Sequence, residues 1–117
     1  MKVLLDHNVP KRTITLLTSH EAKTARQMGW EELANGALLR AAAKDFEAVV
    51  SIDKKLRFQQ NLNALPIAVV VLDVLTNSFA SVKTLEAPLL SLLKSPVDRI
   101  LYFIQRDGQI MRLGGPN

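Results

Sequence analysis

Two apolar runs in this chain end on a carboxylate. The run from Met1 to Leu5 is followed by Asp6, and the run from Ala48 to Ile52 is followed by Asp53. Short runs rich in β-branched residues are typical of buried strands in a parallel sheet, and each run precedes a helix-starting pattern. We therefore expect both acids at the carboxyl ends of strands. Ligands of open α/β sheets bind at that edge, so Asp6 and Asp53 are the first candidates for chemistry.

The rest of the pattern predicts alternating strands and helices. Strands are expected over residues 2–5, 21–25, 48–52 and 67–72, and helices over 9–18, 35–44, 54–60 and 79–94. Residues 67–72 contain no polar position, which predicts a strand at the sheet centre. Pro88 should kink the last helix, and Asp107-Gly108 predicts a two-residue hairpin turn between strands at 99–105 and 109–113. The tail 114–117 is expected to fray.

Length and composition indicate one domain spanning residues 1–117. The chain has 117 residues, of which 48% are hydrophobic, and it contains no cysteine. Disulfides, thiolate metal sites and cysteine nucleophiles are thereby excluded. The sequence shows neither a signal peptide nor an apolar stretch of about 20 residues, so we expect a cytoplasmic protein without a membrane partner. A net charge of +4 is compatible with a nucleic-acid partner and does not require one.

Each candidate acid also has a purely structural interpretation, because Asp is a favoured helix N-cap. Asp6 and Asp53 gain weight as a pair, since two nearby carboxylates repel and a hard divalent cation removes that repulsion. Asn8 and Asn35 show the same ambiguity, because an amide can cap a helix or orient a metal ligand, a water or a phosphate. His7 has no second histidine at metal-ligand spacing, and no role is assigned to it.

Five cations follow the two acids and should surround the same edge of the sheet. They are Lys11, Arg12, Lys54, Lys55 and Arg57. Cations at helix N-termini oppose the helix dipole, and phosphate binding is one reason to keep them there. The alternative is an ordinary solvated charged surface.

Several short motifs occur in an order that resembles a known family. They are Leu4-Leu5-Asp6-His7-Asn8-Val9-Pro10, Met28-Gly29-Trp30, Asn35-Gly36-Ala37-Leu38-Leu39, Ser51-Ile52-Asp53-Lys54-Lys55-Leu56 and Gln59-Gln60-Asn61-Leu62. From Met1 to about Leu93 the chain resembles the small stand-alone PIN-like proteins of bacteria, a domain of unknown function related to PIN nucleases. The C-terminal hairpin lies outside this resemblance.

The resemblance implies a three-layer PIN-like α/β fold with a mostly parallel central sheet, to which this chain adds a C-terminal β-hairpin. PIN nucleases gather three or four acids at one sheet edge, bind Mg²⁺ or Mn²⁺, and hydrolyse RNA with a metal-activated water. Asp6 and Asp53 match two of these acids. Asn35 stands where the broader pattern has an acid, and Ala37 stands where close relatives often have Glu. Since each lost carboxylate removes charge that holds the ion, we expect weaker metal affinity than in a full PIN site.

The leading hypothesis is therefore a PIN-like, Mg²⁺- or Mn²⁺-dependent endoribonuclease, with the toxin of a toxin–antitoxin pair as its setting. Asp6 and Asp53 would hold the metal, and Asn8 and Asn35 would orient water or phosphate. The RNA backbone would be bound by Lys11, Arg12, Lys54 and Arg57. RNA, an antitoxin protein and a second copy of the chain are the expected partners.

Three alternatives belong to other functional classes. The first is a catalytically silent PIN-like module that binds nucleic acid or a partner protein, which the missing acids at Asn35 and Ala37 favour. The second is a receiver-like phosphoacceptor domain, although the adjacent acid pair of that family is absent and Arg106 replaces its late lysine. The third is an aspartyl phosphatase suggested by Asp6-His7-Asn8, which lacks a second Asp to act as acid or base.

Overall fold

One mixed sheet of six strands organises the part of the chain that the structure, a computed structural model, describes, namely residues 1–115. The strands are β1 (Lys2–Leu5), β2 (Glu21–Thr24), β3 (Ala48–Ser51), β4 (Ala68–Leu72), β5 (Leu101–Ile104) and β6 (Ile110–Leu113). Their spatial order is β2-β1-β3-β4-β5-β6, and only the pairing of β6 with β5 is antiparallel. The mostly parallel sheet and the C-terminal hairpin are confirmed.

Helices cover both faces of this sheet, because successive strand residues point to opposite sides. The helical elements are a 3₁₀ helix (Lys11–Leu16), α1 (Asn35–Ala42), α2 (Leu56–Gln59), α3 (Phe79–Lys83) and α4 (Glu86–Leu93). Val3 and Leu5 pack into the core formed with the 3₁₀ helix, α3 and α4, whereas Leu4 packs into the core formed with α1 and α2. The three-layer α/β class is confirmed, and β4, with every residue buried, lies at the centre as predicted.

The helix expected over residues 79–94 is two helices instead of one kinked helix. α3 ends at Lys83, Thr84 and Leu85 intervene, and Pro88 is the third residue of α4. A proline ring clashes with the carbonyl four residues earlier, here that of Thr84, whereas the first turn of a helix tolerates proline. The prediction of a kink was wrong, because a new helix starts just before Pro88 and places this residue in its first turn, where proline is tolerated.

The hairpin forms where Asp107-Gly108 predicted it, but its loop has three residues. Gln105 donates its backbone N–H to the carbonyl of Gln109 (2.8 Å) and accepts one from Gly108 (2.8 Å). Gly108 has φ +90°, a conformation that glycine adopts without strain. This arrangement, a turn followed by a left-handed residue, is the common form of three-residue hairpins.

The expected fraying of the tail is wrong for its first half. Gly115 is buried and donates its N–H to the carbonyl of Leu62 (3.0 Å). Gly114 has φ +88°, and a Cβ at that position would overlap Leu62. Pro116 and Asn117 lie outside the described residues. No helix within residues 1–115 has the length and apolar character that a membrane crossing needs.

Candidate functional site

The candidate site lies where the strand order reverses. β1 pairs with β2 on one side and with β3 on the other, so the connections leaving β1 and β2 run in opposite directions. Such a switch point opens a crevice at the carboxyl ends of the strands, where ligands of doubly wound sheets bind. Asp6 follows β1 directly and donates its N–H to the carbonyl of Val50 in β3 (2.9 Å). Asp53 follows β3 by two residues.

Asp6 is a buried carboxylate that accepts two hydrogen bonds and contacts the His7 ring. It is 2% exposed. Its Oδ1 accepts the backbone N–H of His7 (2.8 Å) and lies 2.8 Å from His7 Nδ1, and its Oδ2 accepts the Ser51 hydroxyl (2.8 Å). A buried carboxylate without such partners would cost several kcal/mol, so these bonds are what keep it in place. His7, which was assigned no role from the sequence, contacts the candidate acid directly.

Ser51 links the two candidate acids. Its side chain is fully buried at the end of β3. The hydroxyl donates to Asp6 Oδ2 (2.8 Å) and accepts the backbone N–H of Asp53 (3.1 Å). Sequence reasoning missed this residue, although a polar side chain inside an apolar strand run was a usable signal, since buried polar groups are normally bonded to something specific.

Asp53 is connected to the helices on the other side of the crevice. Its Oδ1 accepts the backbone N–H of Lys55 (3.0 Å), and its Oδ2 accepts Nδ2 of Asn35 (3.3 Å). The same Asn35 nitrogen donates to Gln59 Oε1 in α2 (3.4 Å). The structure therefore brings Asn35 to Asp53, and it adds Gln59, which sequence reasoning left without a mechanism.

The helix-cap interpretation does not describe these side chains. Pro10 occupies the N-cap of the 3₁₀ helix and Ala34 that of α1, and neither helix has a side-chain cap bond. Asp53 bonds the N–H two residues ahead, in a turn that precedes α2. Capping therefore does not account for Asp6, Asn8 or Asn35.

A cleft of about 970 Å³ opens beside Asp6 on the side of β2 and the 3₁₀ helix. Asn8 lines this cleft, and its Oδ1 is buried without a hydrogen-bond partner. Lys11, one of the predicted substrate-binding cations, lines it together with Arg26, which sequence reasoning missed. Asp53 is not among the lining residues, so the cleft reaches the pair of acids from the Asp6 side.

Two other predicted cations make intramolecular contacts. The guanidinium carbon of Arg12 lies 4.5 Å from the ring centre of Phe79. The guanidinium carbon of Arg57 contacts two rings, 4.6 Å from the centre of Phe58 and 4.7 Å from that of Phe103. Neither residue lines the cleft beside Asp6.

The fourth predicted cation, Lys54, pairs with a third carboxylate that sequence reasoning missed. Asp73 follows β4 directly and is 17% exposed, with Lys54 Nζ at 3.2 Å and Arg106 Nε at 3.6 Å. The signal was present, because the apolar run 67–72 ends on this acid as the other two runs end on theirs. The pattern that opens the chain therefore occurs three times.

The two histidines occupy different ends of the sheet. His7 lines the cleft with its side chain half exposed. His20 precedes β2 at the opposite end, and its Nδ1 is buried without a partner. Burial lowers the pKa of His20 below its ordinary value, the N-terminal amino group lowers it further, and Glu47 opposes both. His20 is therefore a structural residue remote from the candidate site.

Several side-chain oxygen atoms near the switch point keep unused acceptor capacity. Asp6 Oδ2 and both oxygens of Asp53 each accept one hydrogen bond, which leaves each a second lone pair. The unpartnered Asn8 Oδ1 supplies a neutral oxygen in the same crevice. Within residues 1–115, no three His, Cys, Asp or Glu side chains cluster in a way that could hold a metal. The donor set thus consists of two carboxylates with amide support.

Comparison with protein families, with curated proteins and with solved structures found no match to this chain. The PIN-like assignment stays a prediction that depends on the motifs of the sequence.

Proposed function

We propose that the protein is a metal-dependent endoribonuclease whose centre is formed by Asp6 and Asp53. The observation that carries this proposal is the Ser51 hydroxyl that bonds both residues at the switch point of the sheet. It supports a single centre, because the Asp6 carboxylate and the Asp53 backbone share one hydroxyl, and Asp6 lies beside a cleft whose lining includes Lys11 and Arg26. The proposal agrees with the family resemblance, which supplies RNA as the substrate class.

The side chains divide the work in the following way. Asp6 and Asp53 would hold Mg²⁺ or Mn²⁺, and Asn8 Oδ1 would supply a neutral oxygen beside them. The ion would supply a water of lowered pKa and would neutralise charge on the phosphoryl oxygens. Asn35 positions Asp53 through its 3.3 Å hydrogen bond. Lys11 and Arg26 bind phosphates of the RNA in the cleft.

The proposed setting is a toxin–antitoxin pair, in which the antitoxin protein covers the cleft beside Asp6. Assembly of the toxin as a homodimer belongs to the same proposal. Both parts depend on the resemblance to PIN-like proteins.

A catalytically silent binding module is the second candidate. It is favoured by the donor set, because the described residues contain no cluster of three His, Cys, Asp or Glu side chains that could hold a metal. Affinity for hard cations falls as carboxylates are lost, so a site of this composition could bind RNA through Lys11 and Arg26 without cleaving it. The strand order would also suit a receiver-like phosphoacceptor, but Arg106 contacts Asp73 rather than Asp53.

Cleavage by purified protein separates these functions. A single-stranded RNA of mixed sequence is incubated with the protein in Mn²⁺ or in EDTA, and fragments are resolved on a gel. We expect Mn²⁺-dependent cleavage that falls by about 10³-fold in Asp6→Asn and in Asp53→Asn, since loss of a metal ligand removes several kcal/mol of transition-state stabilisation. Asp73→Asn is the matched control and should cleave at the wild-type rate. Equal cleavage by all four proteins would place the activity elsewhere or in a contaminant.

A further inference from the structure

A second concave surface lies on the opposite side of the sheet, between α2 and β6. It is a pocket of about 560 Å³ lined by seven of the described residues, among them Arg57, Phe58, Asn63, Met111 and Leu113. Phe58 is 77% exposed, which is unusual for a large aromatic side chain in a chain with a well-formed core. The pocket shares no lining residue with the cleft beside Asp6.

Arg57 contacts two aromatic rings beside this pocket. Its guanidinium carbon lies 4.7 Å from the ring centre of Phe103, which is 5% exposed, and 4.6 Å from that of Phe58. Arg57 Nε is buried and has no hydrogen-bond partner, so the contacts with the two rings help to hold the guanidinium. Phe58 therefore has a fixed cationic neighbour while 77% of its surface stays exposed to solvent.

We propose that this pocket binds an unpaired nucleobase of a single-stranded nucleic acid, stacked on Phe58. Aromatic rings and arginine planes are the groups that proteins use to stack bases, and every base offers a flat surface to them. The Asn63 amide provides a donor and an acceptor for a base edge. Arg57 is the one charged residue among the described lining residues, so the pocket carries positive charge. This charge favours an anionic ligand such as a nucleic acid over a cationic one.

A protein partner is the competing occupant. The pocket is lined by seven described residues, whereas a standard protein interface uses about 20–30 residues on each side. Its size and positive charge therefore favour a nucleobase. The proposal does not depend on cleavage at Asp6 and Asp53, because stacking on Phe58 needs no metal.

Fluorescence anisotropy in EDTA tests the proposal without interference from cleavage. The probes are a fluorescein-labelled 12-nucleotide oligoadenylate, an abasic RNA with the same number of phosphates, and a 12-base-pair RNA duplex. We expect the oligoadenylate to bind roughly tenfold more tightly than the other two. Phe58→Ala should lose about tenfold in affinity for oligoadenylate with an unchanged salt dependence, since no phosphate contact is removed. Phe58→Trp should retain the affinity.

Leu75→Ala is the matched control, because Leu75 is 76% exposed and lies outside the pocket. It should bind as the wild type does, and circular dichroism should show the same fold for all variants. Absence of wild-type binding, equal binding of abasic RNA, or unchanged binding by Phe58→Ala would each overturn the proposal. If Phe58→Ala instead converts a dimer to a monomer in sedimentation while RNA affinity stays constant, the surface is a protein contact and the proposal is wrong.

Discussion

The carboxyl ends of β1 and β3 resemble those of β4 and β5 in sequence pattern but differ in the side chains that surround their aspartates. At both places an apolar strand run ends on an aspartate, but Asp6 is surrounded by hydrogen-bond donors without Lys or Arg, whereas Asp73 is paired with Lys54 and Arg106. Two cations already compensate the charge of Asp73, so this carboxylate attracts a metal ion less strongly than one without a cationic partner. The neighbours of a strand-end acid, as well as its position, therefore decide what it can bind.

Ser51→Ala should give the largest effect of the variants below, because it removes the link that exists only at the β1 and β3 end. Loss of a positioning partner of a metal ligand costs typically 10- to 100-fold in metal affinity or activity. Leaving Asp6 Oδ2 without its donor should also lower the free energy of unfolding by about 1–3 kcal/mol. Mn²⁺ titration and urea denaturation measure the two effects. Ser91→Ala, an exposed serine in α4, is the control and should change neither quantity.

Asn35→Asp should increase the difference in metal affinity between the two ends of the sheet, because it adds a third carboxylate beside Asp53. The Asn35 amide already lies 3.3 Å from Asp53 Oδ2. Without metal the two carboxylates would repel and lower the melting temperature, and with Mn²⁺ they should raise the affinity by roughly tenfold. Thermal unfolding with and without Mn²⁺ reveals both signs. Asn61→Asp, on an exposed residue, should show neither, and an Asn35→Asp protein with unchanged Mn²⁺ affinity would argue against a cation at this edge.

The cations of the two regions should differ in their contribution to RNA binding. Within residues 1–115, Lys11 and Arg26 form no ion pair, while Arg106 is engaged with Asp73. Arg26→Ala should therefore weaken RNA binding several-fold and reduce the slope of log affinity against log salt by about 1. Arg106→Ala should change the slope less. The salt dependence of anisotropy measures both, and a larger effect at Arg106 would move the RNA path to β4 and β5.

The smallest effect is expected for the ion pair that defines the β4 and β5 end. Lys54 is half exposed, so its 3.2 Å contact with Asp73 is screened by water. A double-mutant cycle with Lys54→Ala and Asp73→Asn should give a coupling of about 0.2–1 kcal/mol in urea denaturation. A coupling of several kcal/mol would mean that the Lys54–Asp73 ion pair contributes substantially to the stability of the fold.

The hydrophobic pattern predicted most of the fold because the strands at the centre of the sheet, β1, β3, β4 and β5, are largely apolar and buried. β1 began and ended at the predicted residues, and β4 took the central place that its lack of polar positions required. The division between α3 and α4 was not predicted, since the pattern of apolar residues continues through Pro88 and only the backbone clash breaks the helix.

The candidate site was predictable only in part. Asp6 and Asp53 were found because strand ends are visible in the sequence. The roles of Ser51 and Gln59 depend on contacts between segments distant in the chain, 45 residues apart for Ser51 and Asp6 and 24 for Gln59 and Asn35, which periodicity does not encode. Asp73 was visible as a pattern, but its cation partners were not.

Calorimetric titration of Mn²⁺ into the wild type and three variants measures whether Asp6 and Asp53 share one cation. We expect one binding event per chain in the wild type and in Asp73→Asn, and loss of that event in both Asp6→Asn and Asp53→Asn. Retention of wild-type Mn²⁺ binding in Asp6→Asn or Asp53→Asn, or its loss in Asp73→Asn alone, would contradict the assignment of a shared centre at the ends of β1 and β3.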